Sequence, residues 1–157
     1  MKKKIAFMLS TLFYAGSFPK APGTFGSFVS LFLIVPITYY FGFTGLMVLI
    51  LISFILAMFS VTETLKYTKH DPSFIVIDEL IGQAVTFLFV SNFLVNNNNL
   101  SVYLLGFIFF RLFDVLKPFP VSYADKKIRN AFGVIFDDVL AGVYASICLL
   151  VTKMIVF

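Results

Sequence analysis

A chain of 157 residues with 60% hydrophobic residues, 22 phenylalanines and 13% charged residues, at a mean hydropathy of +0.99, carries too much apolar surface for a water-soluble domain. Its formal charge of +4 does not signal nucleic acid, because the bases are divided between the N-terminus and connections beside apolar runs; anionic lipid headgroups are the fitting partner. The single cysteine, Cys148, excludes a disulfide or thiolate metal site within this sequence.

Backbone groups in lipid must be satisfied internally, and no ten-residue alternation of barrel type occurs, so the spans are expected to be helices. The fold class expected is all-α: a polytopic membrane helical bundle forming one domain over residues 1–157. Lys2 to Lys4 followed by the apolar Ile5 to Tyr14 has the outline of a signal peptide. The Gly- and Pro-rich segment after it looks functional, however, so residues 5–18 are expected to stay as an interfacial, re-entrant or spanning element. Five apolar runs then follow, with cores Phe28 to Phe41, Leu46 to Val61, Leu80 to Val95, Leu100 to Phe110 and Val139 to Phe157. They predict four to five hydrophobic helices, the first and fourth being short against the roughly 20 residues of a full crossing.

No charge lies between Ser27 and Glu63, or from Leu80 to Phe110. If all five runs span with Lys2 to Lys4 and Lys20 in the cytoplasm, then Lys66, Lys69, Lys117, Lys126, Lys127 and Arg129 face inward as well. The uncharged connections Tyr39 to Thr44 and Ser91 to Asn99 face outward, and only Lys153 departs from the pattern, near enough to the end to snorkel. Asp71, Asp78, Glu79, Asp114, Asp125, Asp137 and Asp138 thereby reach the same cytoplasmic interface. The Asn99-Leu100-Ser101 sequon abuts a span and carries no weight.

Four segments have the composition for chemistry. Gly16 to Ser27 combines glycines, prolines, Lys20 and hydroxyls just before a helix. It is either an anion-binding loop, with Gly23, Thr24, Gly26 and Ser27 offering backbone and hydroxyl groups, or a tight turn capped by Thr24 or Ser27. It lacks the Gly-Lys-Ser/Thr ending of a Walker A loop. In the second segment Asp71-Pro72 fits an N-cap and first helical residue, which would put Asp78 and Glu79 in that helix's second and third turns. Two adjacent carboxylates between Ile77 and Leu80 need a cation, a proton or basic partners, and a hard divalent ion such as Mg²⁺ fits oxygen ligands of this kind.

The third segment sets Arg111, Asp114 and Lys117 at successive i to i+3 positions, either as a self-compensating stripe or with Asp114 at a metal and the two bases on phosphate oxygens. In the fourth, Ser122 and Asp125 have capping-box spacing, Lys126, Lys127 and Arg129 suit a short helix on anionic headgroups, and Asp137 and Asp138 open the last long helix. The small residues Ala141, Gly142, Ala145 and Ser146 permit close packing that would bring this second acidic pair to the others. His70 reads as a base at a helix C-terminus and Glu63 as a partner of Lys66.

Four stretches together resemble the phosphatidylglycerophosphatase A family of bacterial membrane lipid phosphatases. They are Pro19 to Ser27, Ile77-Asp78-Glu79 with Gly82-Gln83, Phe110 to Pro118, and Gly133 with Asp137 to Gly142. Each is weak alone, and they occur in order over most of the chain; Phe25 stands where many relatives are expected to have Trp. The resemblance implies Mg²⁺-dependent hydrolysis of the terminal phosphomonoester of phosphatidylglycerophosphate, in the bacterial cytoplasmic (inner) membrane, with the site facing the cytoplasm. On that reading Asp78, Glu79, Asp137 and Asp138 ligate the metal and Asp114 adds a ligand or a partner for Arg111. Lys20, Arg111 and Lys117 neutralise the phosphate. The attacking group is a metal-activated water, with an aspartyl nucleophile as the alternative.

Rival phosphatase chemistries lack their signatures. One histidine is too few for the two-histidine lipid phosphatases, and there is neither an Asp-x-Asp nucleophile motif nor the Asp-Gly-x-x-Ala-Arg of CDP-alcohol phosphotransferases. The alternative from another class is a small cation transporter or channel accessory protein, which would need charge deep within several spans.

Overall fold

A computed structural model describes residues 2–68, 72–97 and 99–156, which fold as seven α-helices and one 3-10 turn at Ala15–Ser17. The helices are α1 (Lys2–Ser10), α2 (Pro22–Leu65), α3 (Ile77–Leu88), α4 (Ser91–Asn97), α5 (Leu100–Leu116), α6 (Val121–Lys127) and α7 (Ala131–Val156). Lys69, His70 and Asp71 lie outside the described residues.

The first two apolar runs form the two halves of α2, which is broken at Gly42 by a non-helical backbone with φ 52° and ψ −135°. Glycine reaches that backbone region without the Cβ clash other residues meet. The turn is a reversal. Ser27 in the first half bonds to Glu79 of α3, while Ala57 and Val61 of the second half cluster with Ile77. A straight helix would hold Ser27 and Val61 about 50 Å apart at 1.5 Å per residue. The two halves therefore descend from and return to the same end of the bundle.

Every residue of α3 is buried, so this helix is the axis of the fold. Phe87, Leu80 and Ala84 pack with Ile34 and Leu46 of α2, Leu94 of α4, Tyr103 of α5 and Leu149 of α7. Beyond its end the chain bends by 77° into α4. The expected run Leu80 to Val95 is thus a broken element. By length and composition, α2 and α7 are the two helices among the described residues able to cross a membrane, and the bent α3 and α4 pair would make a third.

The distribution of polarity suits a lipid surround. Ser30, Thr38 and Thr86 are buried and donate to the carbonyls four residues earlier, whereas Phe32, Leu51, Ile55 and Ile108 are exposed. Inward hydroxyls and outward hydrocarbon reverse the soluble pattern, as expected where the solvent is itself apolar.

Several helix ends differ from expectation. Helix α2 starts at Pro22 with Ala21 at its N-cap and no side-chain cap, so neither Thr24 nor Ser27 caps it. Helix α3 starts at Ile77 and Pro72 lies outside it, which moves Asp78 and Glu79 into the first turn. Helix α7 starts at Ala131, so Asp137 and Asp138 lie within it rather than opening it. Pro120 precedes α6 with no side-chain cap, and the expected Ser122 and Asp125 capping box is not formed. Asn99 does cap α5, accepting a hydrogen bond from the Ser101 N–H at 3.0 Å. Glu63 pairs with Lys66 at 2.5 Å as its spacing predicts, and Lys153 stands over the Phe93 ring at 5.2 Å.

Candidate active site

At one end of the bundle the N-termini of α2 and α3, the C-terminus of α5 and the N-terminal part of α7 enclose a cavity of 360 Å³. Five carboxylates line it, from Asp78, Glu79, Asp114, Asp137 and Asp138, together with the bases Arg111 and Lys117. The first turn of α2 completes the wall with Ala21, Pro22, Gly23 and Thr24. Pro22 has no N–H, while Phe25 N–H already reaches Ala21 O at 3.1 Å. Gly23 and Thr24 therefore present the unsatisfied donors and the positive end of the helix dipole to the cavity.

Two helix crossings bring the acidic pairs together. Asp78 and Asp138 each stand four residues before a glycine, Gly82 and Gly142. A Cβ on Gly142 would collide with the Gly82 carbonyl, and one on Gly82 with Asp138 O and the Phe110 ring. Only hydrogen fits there, so α3 and α7 approach backbone to backbone and their carboxylates share one space. Gly23 has a similar role, since a Cβ at that position would strike the Glu79 carboxylate.

The bases divide the carboxylates between them. Arg111 Nη1 donates to Glu79 Oε2 and to Asp114 Oδ2, both at 2.7 Å. Glu79 also accepts from the buried Ser27 hydroxyl. Lys117 does not continue the α5 stripe to Asp114. It sits in the left-handed conformation at the helix end and donates to Asp125 at 2.5 Å and Asp137 at 2.8 Å. Burial alone would lower the Lys117 pKa, but its hydrogen bonds to Asp125 and Asp137 outweigh that and hold it above its ordinary value. Asp78 Oδ1 accepts from the Glu79 N–H at 3.0 Å. Asp138 is 4% exposed and has neither a hydrogen bond nor a basic partner among the described residues. Its electrostatic neighbours are Asp114, Asp78, Asp137 and Glu79.

The cavity thus holds three more carboxylates than bases, in a setting where a charge without a counter-ion is costly. As placed, no three carboxylate, histidine or cysteine side chains among the described residues are drawn tightly enough together to grip a metal ion. The charge excess and the unpartnered Asp138 nonetheless fit a hard divalent cation. Mg²⁺ commonly needs only one or two carboxylates, completing its shell with water and substrate phosphate.

Of the residues singled out from sequence, Gly23, Thr24, Asp78, Glu79, Arg111, Asp114, Lys117, Asp137 and Asp138 all line this cavity. Ser27 lies behind Glu79, and Gly26 packs against Val76 away from the cavity. Lys20 lines an adjoining groove instead. Two polar contributors escaped the sequence reading. Asp125, whose spacing suggested a cap, holds Lys117, and Ser73, in the turn before α3, adds a hydroxyl to the cavity wall. The only sequence signal for Ser73 was its position just ahead of the acidic pair.

The family model for phosphatidylglycerophosphatase A matches residues 8–153. A phosphatidylglycerophosphatase A of Haemophilus influenzae is 34% identical over 141 residues, covering 89% of this chain and 83% of that protein. The Escherichia coli phosphatidylglycerophosphatase A is 27% identical, with 88% and 78% covered. A Bacteroides thetaiotaomicron protein provisionally named a phosphatidylinositol-3-phosphatase is 28% identical, with 95% and 94% covered. No solved structure matches the chain. The chain belongs to the phosphatidylglycerophosphatase A family of phosphatases.

Proposed function

We propose that this protein hydrolyses the terminal phosphomonoester of phosphatidylglycerophosphate, releasing phosphatidylglycerol and inorganic phosphate. The observation that carries this reading is the cavity itself: five carboxylates, two bases and the amide end of α2 at one end of an apolar bundle. A lipid phosphate headgroup would lie at that level. The charge is gathered at one end rather than distributed along the spans, as a surface enzyme requires and a transport path does not.

Asp78 and Asp138, joined by Glu79 and Asp137, would hold Mg²⁺. When bound, the ion supplies positive charge to the phosphoryl oxygens and acidifies a water. Arg111 and Lys117 balance phosphate charge from the α5 side, and the amides of Gly23 and Thr24 do so from α2. Asp114, fixed by Arg111, orients the guanidinium. Ser27 and Gly23 let Glu79 sit close against α2 and set its direction. In the overall step the oxygen of water bonds to phosphorus and the bond from phosphorus to the glycerol oxygen breaks. The proton lost by the water passes through a cavity carboxylate to the departing alcohol.

In this reading the two halves of α2, the bent α3 and α4 pair, α5 and α7 form five membrane segments. The bases of α1, Lys20, Lys66, Lys117 and α6 then lie on the cytoplasmic side of the bacterial inner membrane beside anionic headgroups. The Bacteroides relative favours a second reading, removal of the 3-phosphate of a phosphoinositide. Phosphate release by purified protein, measured with phosphatidylglycerophosphate and with phosphatidylinositol 3-phosphate, separates the two. Release from the first lipid that stops in EDTA and returns with Mg²⁺ is expected. Release from neither lipid would reject the phosphatase reading, and full activity in EDTA would reject the metal.

A further inference from the structure

Lys20 stands outside the carboxylate cavity, in a groove of 270 Å³ that it lines with Phe18, Phe25, Phe28 and Phe107. The two compartments adjoin, with Ala21 and Thr24 lining both. Phe18 stacks on Phe25 with ring centroids 4.3 Å apart, and Phe28 meets Phe107 edge-on at 6.5 Å. The walls are therefore aromatic, and Phe18 and Phe28 remain exposed at 45% and 47%. Lys20 is exposed as well and has no ion-pair partner among the described residues. The division of chemistry is sharp: the cavity is rich in carboxylates and suited to a metal and a phosphomonoester, while the groove is apolar with one unpaired ammonium.

Such a groove fits a group that carries a single negative charge and continues into hydrocarbon. A phosphodiester attached to diacylglycerol has that form. In a lipid built as diacylglycerol, phosphodiester, short polyol and phosphomonoester, the two phosphates are joined by only a few bonds, as the shared Ala21 and Thr24 border requires. We infer that Lys20 binds the inner phosphodiester of the lipid substrate while Phe18, Phe25, Phe28 and Phe107 take the adjoining acyl segment. Lys20 is on this account a specificity residue, selecting lipids with two phosphates, and the inference rests on the phosphatase reading above.

Two inhibitors report the two compartments separately. Inorganic phosphate resembles only the terminal group, and phosphatidylglycerol retains only the diester and its chains. For Lys20→Gln in the full-length protein with Mg²⁺, KM for phosphatidylglycerophosphate and Ki for phosphatidylglycerol are expected to rise about ten-fold, the scale of one charge-assisted contact. The inhibition constant of inorganic phosphate stays within about twofold, kcat falls less than KM rises, and Lys20→Arg recovers most of the loss. Lys3→Gln, which removes another exposed interfacial base, leaves both lipid constants in place.

Three outcomes overturn the inference. One is weaker inhibition by inorganic phosphate with a collapse of kcat, which would put Lys20 on the terminal phosphate. Another is equal effects of Lys20→Gln and Lys3→Gln, which would mean general attraction to an anionic surface. The third is no change in either lipid constant. Should the wild type release no phosphate at all, the phosphatase reading fails by itself. Binding of short-chain phosphatidylglycerol by the detergent-solubilised protein, against diacylglycerol of the same chain length, then still reads the groove: a preference for the phosphodiester lost in Lys20→Gln supports it, and an unchanged one rejects it.

Discussion

The carbonyl of Gly82 occupies the place that a Cβ on Gly142 would need, and this contact lies one helical turn beyond Asp78 and Asp138 on their respective helices. The spacing between the two acidic pairs is therefore set by two hydrogen atoms. Gly142→Ala should force α3 and α7 apart or unseat the Gly82 backbone, at about 1–3 kcal/mol of overpacking. A displacement of about 1 Å in such a site costs on the order of a hundredfold in rate. The expected result is a kcat loss of at least ten-fold in protein that still folds, measured beside its melting temperature. Wild-type kcat in Gly142→Ala would show that the crossing does not position the carboxylates.

Asp138 offers the opposite balance between stability and activity. Its carboxylate is buried among carboxylates with no base beside it among the described residues, an arrangement that costs stability while the group is ionised and that the proposed Mg²⁺ would relieve. Asp138→Asn keeps the shape and removes the charge. In EDTA the variant should therefore melt higher than the wild type, while its phosphatase activity falls by roughly a hundredfold or more. Mg²⁺ should raise the wild-type melting temperature and raise that of the variant much less, because only binding to the folded state stabilises. Thermal melts with and without Mg²⁺ measure both effects. A variant that melts lower in EDTA would mean that Asp138 has a structural partner.

The residues of this site were largely legible in the sequence, whereas the local structure around them was less so. A pair such as Asp78 and Glu79 beside Ile77 and Leu80 announces itself, because charge within apolar sequence requires a reason. The helix starts were misplaced for an identifiable cause. Pro72, Thr24, Ser27, Ser122 and the Asp137 pair are all good initiators or caps by residue type, but tertiary contacts override that preference. Helix α2 begins at Pro22, where Gly23 packs against Glu79, whereas α7 begins at Ala131 through a different local cap, Asn130 Oδ1 accepting the Gly133 N–H ahead of the aspartates. Lys117 illustrates a second limit. An i to i+3 stripe places it with Asp114, but its left-handed backbone turns it to Asp125 and Asp137, which no helical spacing could show.

Arg111 is shared by Glu79 and Asp114 through one nitrogen, and its Nε is buried with no partner among the described residues. Lysine can reproduce the charge but not the planar fork. Arg111→Lys should lower kcat by roughly ten- to a hundredfold while leaving the melting temperature within a few degrees, since charge in the cluster is kept. Arg111→Met should instead destabilise the protein, because Glu79 and Asp114 lose their common base. Parallel kinetics and melts of the two variants check this. Equal stability loss in both would assign Arg111 a purely structural role.

The last prediction concerns pH. Lys117 is held above its ordinary value of 10.5 by Asp125 and Asp137 in spite of burial. A base whose pKa is raised on folding contributes stability that is full below the unfolded value and is lost as pH rises through the folded one. Lys117 should accordingly stay charged throughout the working range of the enzyme. The melting-temperature gap between wild type and Lys117→Met should be flat from neutrality to about pH 10 and should narrow only above it. A gap that already closes between neutrality and about pH 9 would mean that the two carboxylates do not hold the ammonium in its charged form.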